Sequence, residues 1–233
     1  MTSAATAVLG LLHGFSLDID HQPVRVPLPG QRLLAFLSLQ RRAVTRAATA
    51  AALWPDLSDS GAASRLRSAL WRLPQASSAR LVATADRSLT LEPEVVVDLH
   101  EAERTPAWTQ EHLAAWRGDL LDGWDDEWLL ADRERFRQLR LHRLEDAAAQ
   151  ACRTGQYGLA LQAALAAVAS DPLRESAHRA VMAVHLAEQN PAEALRQYDV
   201  VRRRLRHDLG LSPSPATRAM VQPLLGRPAD AIG

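Results

Sequence analysis

The chain has no lysine and a single cysteine, Cys152, in 233 residues. One cysteine excludes an intramolecular disulfide and any zinc site built on thiolates. Cys152 sits in the alanine-rich stretch DAAAQAC, where a small buried thiol is the expectation. Net charge is also missing: 27 arginines face 27 acidic residues, so no global field marks a polyanionic partner. No apolar run approaches membrane length, and no basic, then apolar, then cleavable leader opens the chain. A soluble cytoplasmic protein without a membrane partner is therefore expected. There is no nucleophile elbow, glycine-rich phosphate loop, paired-acid signature or HExxH, so no enzyme, cofactor or metal is expected. His178 and His185 lie seven residues apart, too far for two ligands on one helix face. The acidic group Asp119, Asp122, Asp125, Asp126 and Glu127 lacks the glycine and terminal glutamate of a calcium loop.

What the chain does have is an uneven charge distribution. Arg41 to Arg87 carries eight arginines against Asp56, Asp59 and Asp86, whereas from Val96 onward 17 arginines face 20 acids. Such asymmetry suggests a basic binding module joined to a neutral or acidic one. The basic stretch centres on Ser58 to Leu73, SDSGAASRLRSALWRL. Leu66, Leu70 and Leu73 recur at i, i+4 and i+7 and predict one core-facing stripe. Arg65, Ser68 and Arg72 fall on the other side, with Ser64 among them and Arg67 at the border. Ser58, Asp59 and Ser60 each offer a capping oxygen. Guanidinium and hydroxyl groups on the free side of a short buried helix suit a major groove. A solvated basic face is the competing reading.

The surrounding order gives that helix a context. Val8–Leu12 and Phe15–Ile19 read as strands, Asp20-His21 as a turn, and Val24–Val26 as a returning strand. Gln31–Leu39 is helical in density, and Thr45 caps a second helix, RAATAAALW, that stops before Pro55. Arg80–Thr84 and Leu89–Leu91 flank the turn Ala85-Asp86-Arg87-Ser88 as a hairpin. A small sheet, three helices and a hairpin make a winged helix-turn-helix, with 46–54 and 60–73 as the helix pair.

After Asp98 the texture turns helical. Pro106, Gly118, Asp122 and Gly123 punctuate a linking segment, and a long helix runs from about Asp126 to Arg153. Gly155-Gln156-Tyr157-Gly158-Leu159-Ala160-Leu161 is matched 34 residues later by Gln189-Asn190-Pro191-Ala192-Glu193-Ala194-Leu195, the tetratricopeptide period. Asn190, Pro191 and Glu193 form a capping-box-like start. Trp54 is expected in the core and Trp71, about 140° from the leucine stripe, under the hairpin, with stacking on DNA as its alternative. Trp108, Trp116, Trp124 and Trp128 are expected to hold the two domains together. Arg202, Arg203, Arg204 and Arg206 are a solvated face or a contact for an acidic partner.

Nearly the whole chain, from about Val8 to Leu225, resembles the SARP family, the antibiotic regulatory proteins of actinobacteria. The likeness is carried by LLHGFSLDIDHQPVRV, GQRLLAFLSLQRRAVTRAATAAALWPD and ASRLRSALWRL in the first half. In the second it is carried by WRGDLLDGWDDEW, ERFRQLRLHRLEDAA, DPLRESAHRAVM and EALRQYDVVRRRLRHDLGLSPSPATRAM, with LRHDLGLSPSP the most specific stretch. The resemblance implies an α+β, OmpR-like winged helix-turn-helix over 1–97. An all-α tetratricopeptide-like bacterial transcriptional activator domain follows over 98–233. It implies an activator of antibiotic biosynthesis that binds double-stranded promoter DNA as side-by-side protomers on direct repeats. It further implies contacts with RNA polymerase and its sigma factor. Ser64, Arg65, Arg67, Ser68 and Arg72 become the recognition contacts, Arg87 the wing contact, and Arg41, Arg42 and Arg46 the phosphate contacts. The chain departs from the family where Pro74 stops the recognition helix and where Asp86-Arg87-Ser88 replaces a Gly-aromatic wing turn. The sequence ends after the activator segment, so no nucleotide switch is expected. A helical-repeat interaction scaffold with a degenerate DNA-binding domain is the alternative from another class.

Overall fold

The computed structural model describes residues 6–74, 80–104 and 110–225, and for 110–112 the backbone only. Two compact units divide the chain, Met1–Pro106 with Gly118–Arg135, and Ala107–Arg117 with Phe136–Gly233. Asp98–Arg104 and 118–135 thus pack with the winged-helix side, beyond residue 97.

In the first unit, β1 (Ala7–Gly10) pairs antiparallel with β2 (Ser16–Ile19). Asp20 and His21 both take positive φ, 52° and 62°, the geometry that lets a two-residue turn follow strand twist. The returning strand β3 is therefore Gln22–Pro23, directly after the turn, and not Val24–Val26. Pro23 lacks the amide needed to extend it, although the Val24 amide still donates to Leu17 at 2.8 Å. Helix α1 (Leu28–Gln40) starts earlier than its apolar density suggests, because Pro29 occupies the first turn, where no amide donor is needed.

The helix pair follows. Strand β4 (Val44–Thr45) leads into α2 (Arg46–Leu53), whose cap is the Thr45 hydroxyl accepting from the Ala48 amide. Helix α3 (Asp59–Trp71) is capped by Ser58, which accepts from Gly61. Its inward stripe is Ala62, Leu66 and Ala69, with Leu70 and Leu73 half-buried beside it, so the leucine stripe read from sequence is shifted toward the alanines. Leu33, Phe36 and Leu37 of α1 close this core with Ala50, Leu53, Trp54 and Leu89. The wing is β5 (Val82–Ala85) and β6 (Ser88–Leu91), and β4 joins it in a sheet ordered β4-β6-β5. Strand β7 (Val96–Val97) returns beside β1 in parallel and runs into α4 (Asp98–Arg104). Asp98 accepts from the Leu11 and Leu12 amides at 2.9 and 3.0 Å.

Trp124 and Trp128 pack inside this unit, on Phe15 and on Phe36 respectively, and Asp126 accepts from the Trp128 indole and from Arg32. Trp116, in the second unit, stacks on Phe136 at 5.7 Å. Each of these three tryptophans thus has an aromatic partner within its own unit, and Trp108 lies outside the described residues.

The second unit contains α5 (Gln110–Ala115), most of α6 (Leu130–Arg153), α7 (Tyr157–Ser170), α8 (Glu175–Ala187), α9 (Pro191–Leu209) and α10 (Pro215–Leu225). A 3-10 turn, Glu127–Leu129, precedes α6 in the first unit. The 34-residue repeat is physical: Ala160 and Ala194 occupy equivalent, fully buried positions. Small buried residues Ala160, Ala163, Ala164 and Ala167 line α7, where they leave room for close helix neighbours. Asn190 makes no side-chain cap; Pro191 opens α9, and Glu193 pairs with Arg196. Gly210 ends α9 in the left-handed region (φ 69°), and Leu211 donates back to the Leu205 carbonyl at 3.1 Å. His178 is fully buried; its Nε2–H donates to the Pro172 carbonyl and Nδ1 faces the Gln197 amide. Cys152 is half-buried. No described helix is long and apolar enough to cross a membrane, and no metal-competent His, Cys, Asp and Glu group occurs among the described residues.

Candidate nucleic-acid interface

Opposite the buried Ala62, Leu66 and Ala69, α3 turns an entirely polar and aromatic surface outward. Ser60, Ser64, Arg65, Arg67, Ser68 and Trp71 are all exposed. At 3.6 residues per turn they form two rows. Ser60, Ser64, Arg67 and Trp71 follow one edge in steps of four, three and four. Arg65, Ser68 and Arg72 follow the other, and Ser64 and Trp71 lie nearest the crest. Arg72 is exposed at the C-terminal cap, since the helix closes at Trp71, ahead of Pro74. A helix of this diameter fills a major groove about 12 Å wide, with its crest toward the base edges and its flanks toward the phosphates.

Helix α2 meets the Arg67 edge. Between α2 and α3 lies an open hollow of about 520 Å³, lined by alanines such as Ala47, Ala51 and Ala63, with Arg46 and Arg67 among its walls. Sequence reading did not anticipate it; the signal was the density of small side chains on both helices. Arg46 is half-buried as the first residue of α2. Its main-chain amide donates to the Arg87 carbonyl at 2.7 Å, which fixes the wing beside the start of α2. Arg87 is exposed in the two-residue tip Asp86-Arg87, where Asp86 takes φ 50°. Arg67, Arg46 and Arg87 thereby come from one helix pair and its bonded wing.

Arg41 and Arg42 are exposed, but their circumstances differ. Arg41 caps α1 in the left-handed region and forms an ion pair with Glu103 of α4. It also stands near His100, whose imidazole is pushed below its ordinary value by burial first and by the Arg41 charge second. Its phosphate role, read from sequence, must therefore compete with an internal partner that the sequence did not reveal. No ion pair holds Arg42, Arg46, Arg65, Arg67, Arg72 or Arg87 among the described residues. Together these groups can offer cations and hydroxyls to an extended polyanion.

Trp71 is the other departure. It is 78% exposed, so it does not pack under the wing hairpin.

The bacterial transcriptional activator domain family matches residues 97–225, more than half of the chain. No curated protein sequence is significantly similar. Among solved structures, Mycobacterium tuberculosis EmbR in complex with a low-affinity phosphopeptide is similar in fold at a TM-score of 0.67 and 23% identity. The match covers 95% of this chain and 65% of the EmbR chain, so this chain spans about two thirds of that protein. An N-terminal α/β unit followed by a helical-repeat unit is the shared architecture. The chain belongs to the bacterial transcriptional activator domain family.

Proposed function

We propose that this chain is a sequence-specific DNA-binding activator that recognises direct repeats in promoter DNA and recruits RNA polymerase with its sigma factor. The observation that carries the reading is the outward face of α3: Arg65, Arg67 and Arg72 stand free of ion pairs among the described residues, opposite a fully apolar inner stripe. Ser64 on the crest and Ser68 beside it read base edges, while the flanking guanidiniums hold phosphates or guanine edges. Arg46 and Arg42 extend the phosphate track, and Arg87 enters the neighbouring minor groove from the wing.

Protomers bind side by side, one per repeat, because the site on each is a single helix with its wing. The helical-repeat unit supplies protein contacts. Arg203, Arg204 and Arg206 are exposed on the last turns of α9, in keeping with an acidic surface on the transcription machinery. The family resemblance points to a pathway of secondary metabolism, such as antibiotic biosynthesis, as the regulated process.

The test is to incubate the full-length chain with fragments of its source genome at two salt concentrations and sequence what is retained. Enrichment of a few promoters with direct repeats about one helical turn apart supports the reading. Retention without sequence preference, by a folded sample, contradicts it and favours an interaction scaffold. Replacing Arg203, Arg204 and Arg206 with alanine leaves retention unchanged and lowers transcription from the enriched promoters.

A further inference from the structure

Trp71 is the most exposed large hydrophobic side chain among the described residues, at 78%, ahead of Leu28 at 59%. Scattered exposed leucines are ordinary on a protein surface, whereas an indole of this exposure has a strong tendency to find a partner. Its position names that partner. Trp71 continues the outward row Ser60, Ser64 and Arg67, one turn beyond Arg67, and Arg72 follows it on the other flank. Two exposed guanidiniums thus bracket the ring, and a surface that accepts all three groups must be anionic with an apolar part. The wall of a DNA groove meets that description, since each phosphate is joined to the C–H face of a deoxyribose.

Place along the helix selects between the apolar parts of a duplex. A recognition helix reads base edges chiefly from its N-terminal residues. Trp71 is the last residue of α3, where the helix leaves the groove floor. A thymine methyl lies on that floor and a deoxyribose on the wall.

We propose that Trp71 lays its indole against a deoxyribose of the groove wall, giving the recognition helix a grip that depends on neither salt nor sequence. This rests on the DNA-binding reading above and assigns one contact within it. The contact releases no counterion, so its loss lowers affinity without altering the slope of log K against log salt. An apolar contact of this size corresponds to about a tenfold change in affinity.

The test compares the full-length chain with Trp71→Ala and Trp71→Arg, on a promoter fragment retained from the genome and on an unrelated duplex, across a salt series. The expected result is that Trp71→Ala weakens both duplexes by about tenfold with an unchanged salt slope. Trp71→Arg restores affinity at low salt and steepens the slope by about one phosphate contact. Thermal midpoints of both variants stay at the wild-type value, because so exposed a side chain carries no core packing. Unchanged affinity in Trp71→Ala overturns the proposal. A loss confined to the promoter fragment, and removed by replacing thymine with uracil, assigns the ring to a base methyl and overturns it too. Altered self-association with unaltered affinity for a single site moves the ring to a protein interface. If the wild-type chain binds neither duplex, the DNA reading fails along with this contact, an outcome visible before any variant is made.

Discussion

The main-chain amide of Arg46, the first residue of α2, donates to the carbonyl of Arg87 at the wing tip across 2.7 Å. Because the bond is made by backbone atoms, the wing keeps its place whatever side chain stands at 87. Arg87→Ala should therefore leave the thermal midpoint unchanged. It should weaken DNA binding and reduce the salt slope by about one. Binding isotherms at several salt concentrations check this; a lowered midpoint would show that the side chain also holds the wing.

Arg41 and Glu103 make the opposite prediction for a residue that sequence reading placed among the phosphate contacts. Their ion pair partly neutralises the guanidinium, so Arg41→Ala should reduce DNA affinity less than Arg87→Ala does. Glu103→Gln should free the cation and raise affinity about twofold at low salt, within the energy of an exposed pair. Equal losses for Arg41→Ala and Arg87→Ala would show that DNA draws Arg41 away from Glu103.

Leu66 is 2% exposed at the centre of the helix-pair core. Leu66→Ala should cost about 2–5 kcal/mol of stability by removing buried methyl groups and leaving a void. Chemical denaturation of the full-length chain measures the loss. Ser64→Ala, two residues away on the exposed crest, should leave stability within about 0.5 kcal/mol and alter base preference instead.

His178 in the second unit should produce a pH-dependent stability. Burial holds its imidazole below the ordinary value of 6.5, with the Pro172 bond opposing and Arg204 adding to the effect. Below pH 6.5 the unfolded chain takes up a proton that the folded chain refuses. Stability therefore falls as pH drops from 6.5 toward the folded-state value. His178→Asn should be less stable at neutral pH yet show a smaller decline over that window. Denaturation midpoints at pH 7.5, 6.5 and 5.5 decide it; parallel declines in both proteins would place the titration elsewhere.

Much of this architecture was legible because it rests on local rules. Thr45 and Ser58 announced their helices as capping residues, Asp86-Arg87 announced the wing turn, and the 34-residue spacing of Ala160 and Ala194 announced the repeat. The outward placement of Ser64, Arg65, Arg67 and Ser68 followed from helical periodicity alone. What periodicity could not supply was the partner across space. Glu103 is 62 residues from Arg41, and nothing in either neighbourhood signals the pair. The inner stripe of α3 moved from Leu70 and Leu73 to Ala62 and Ala69 because alanine-rich α2 permits a close approach. Trp71 was expected under the hairpin by its hydrophobicity, yet its helical angle already pointed outward. At that position the geometric signal outweighed the residue's ordinary preference for burial.

The central claim is that α3 holds DNA through Arg65, Arg67 and Arg72. The most direct measurement is the salt dependence of affinity for a retained promoter fragment, in the full-length chain and in the variant with all three changed to alanine. If each neutralises one phosphate or pairs with a guanine in place of counterions, the magnitude of the log–log slope falls by about 2 to 3. Preference for the promoter over unrelated DNA should vanish with it. A variant that keeps both the wild-type slope and the preference would contradict the account and place the DNA on another face of the chain.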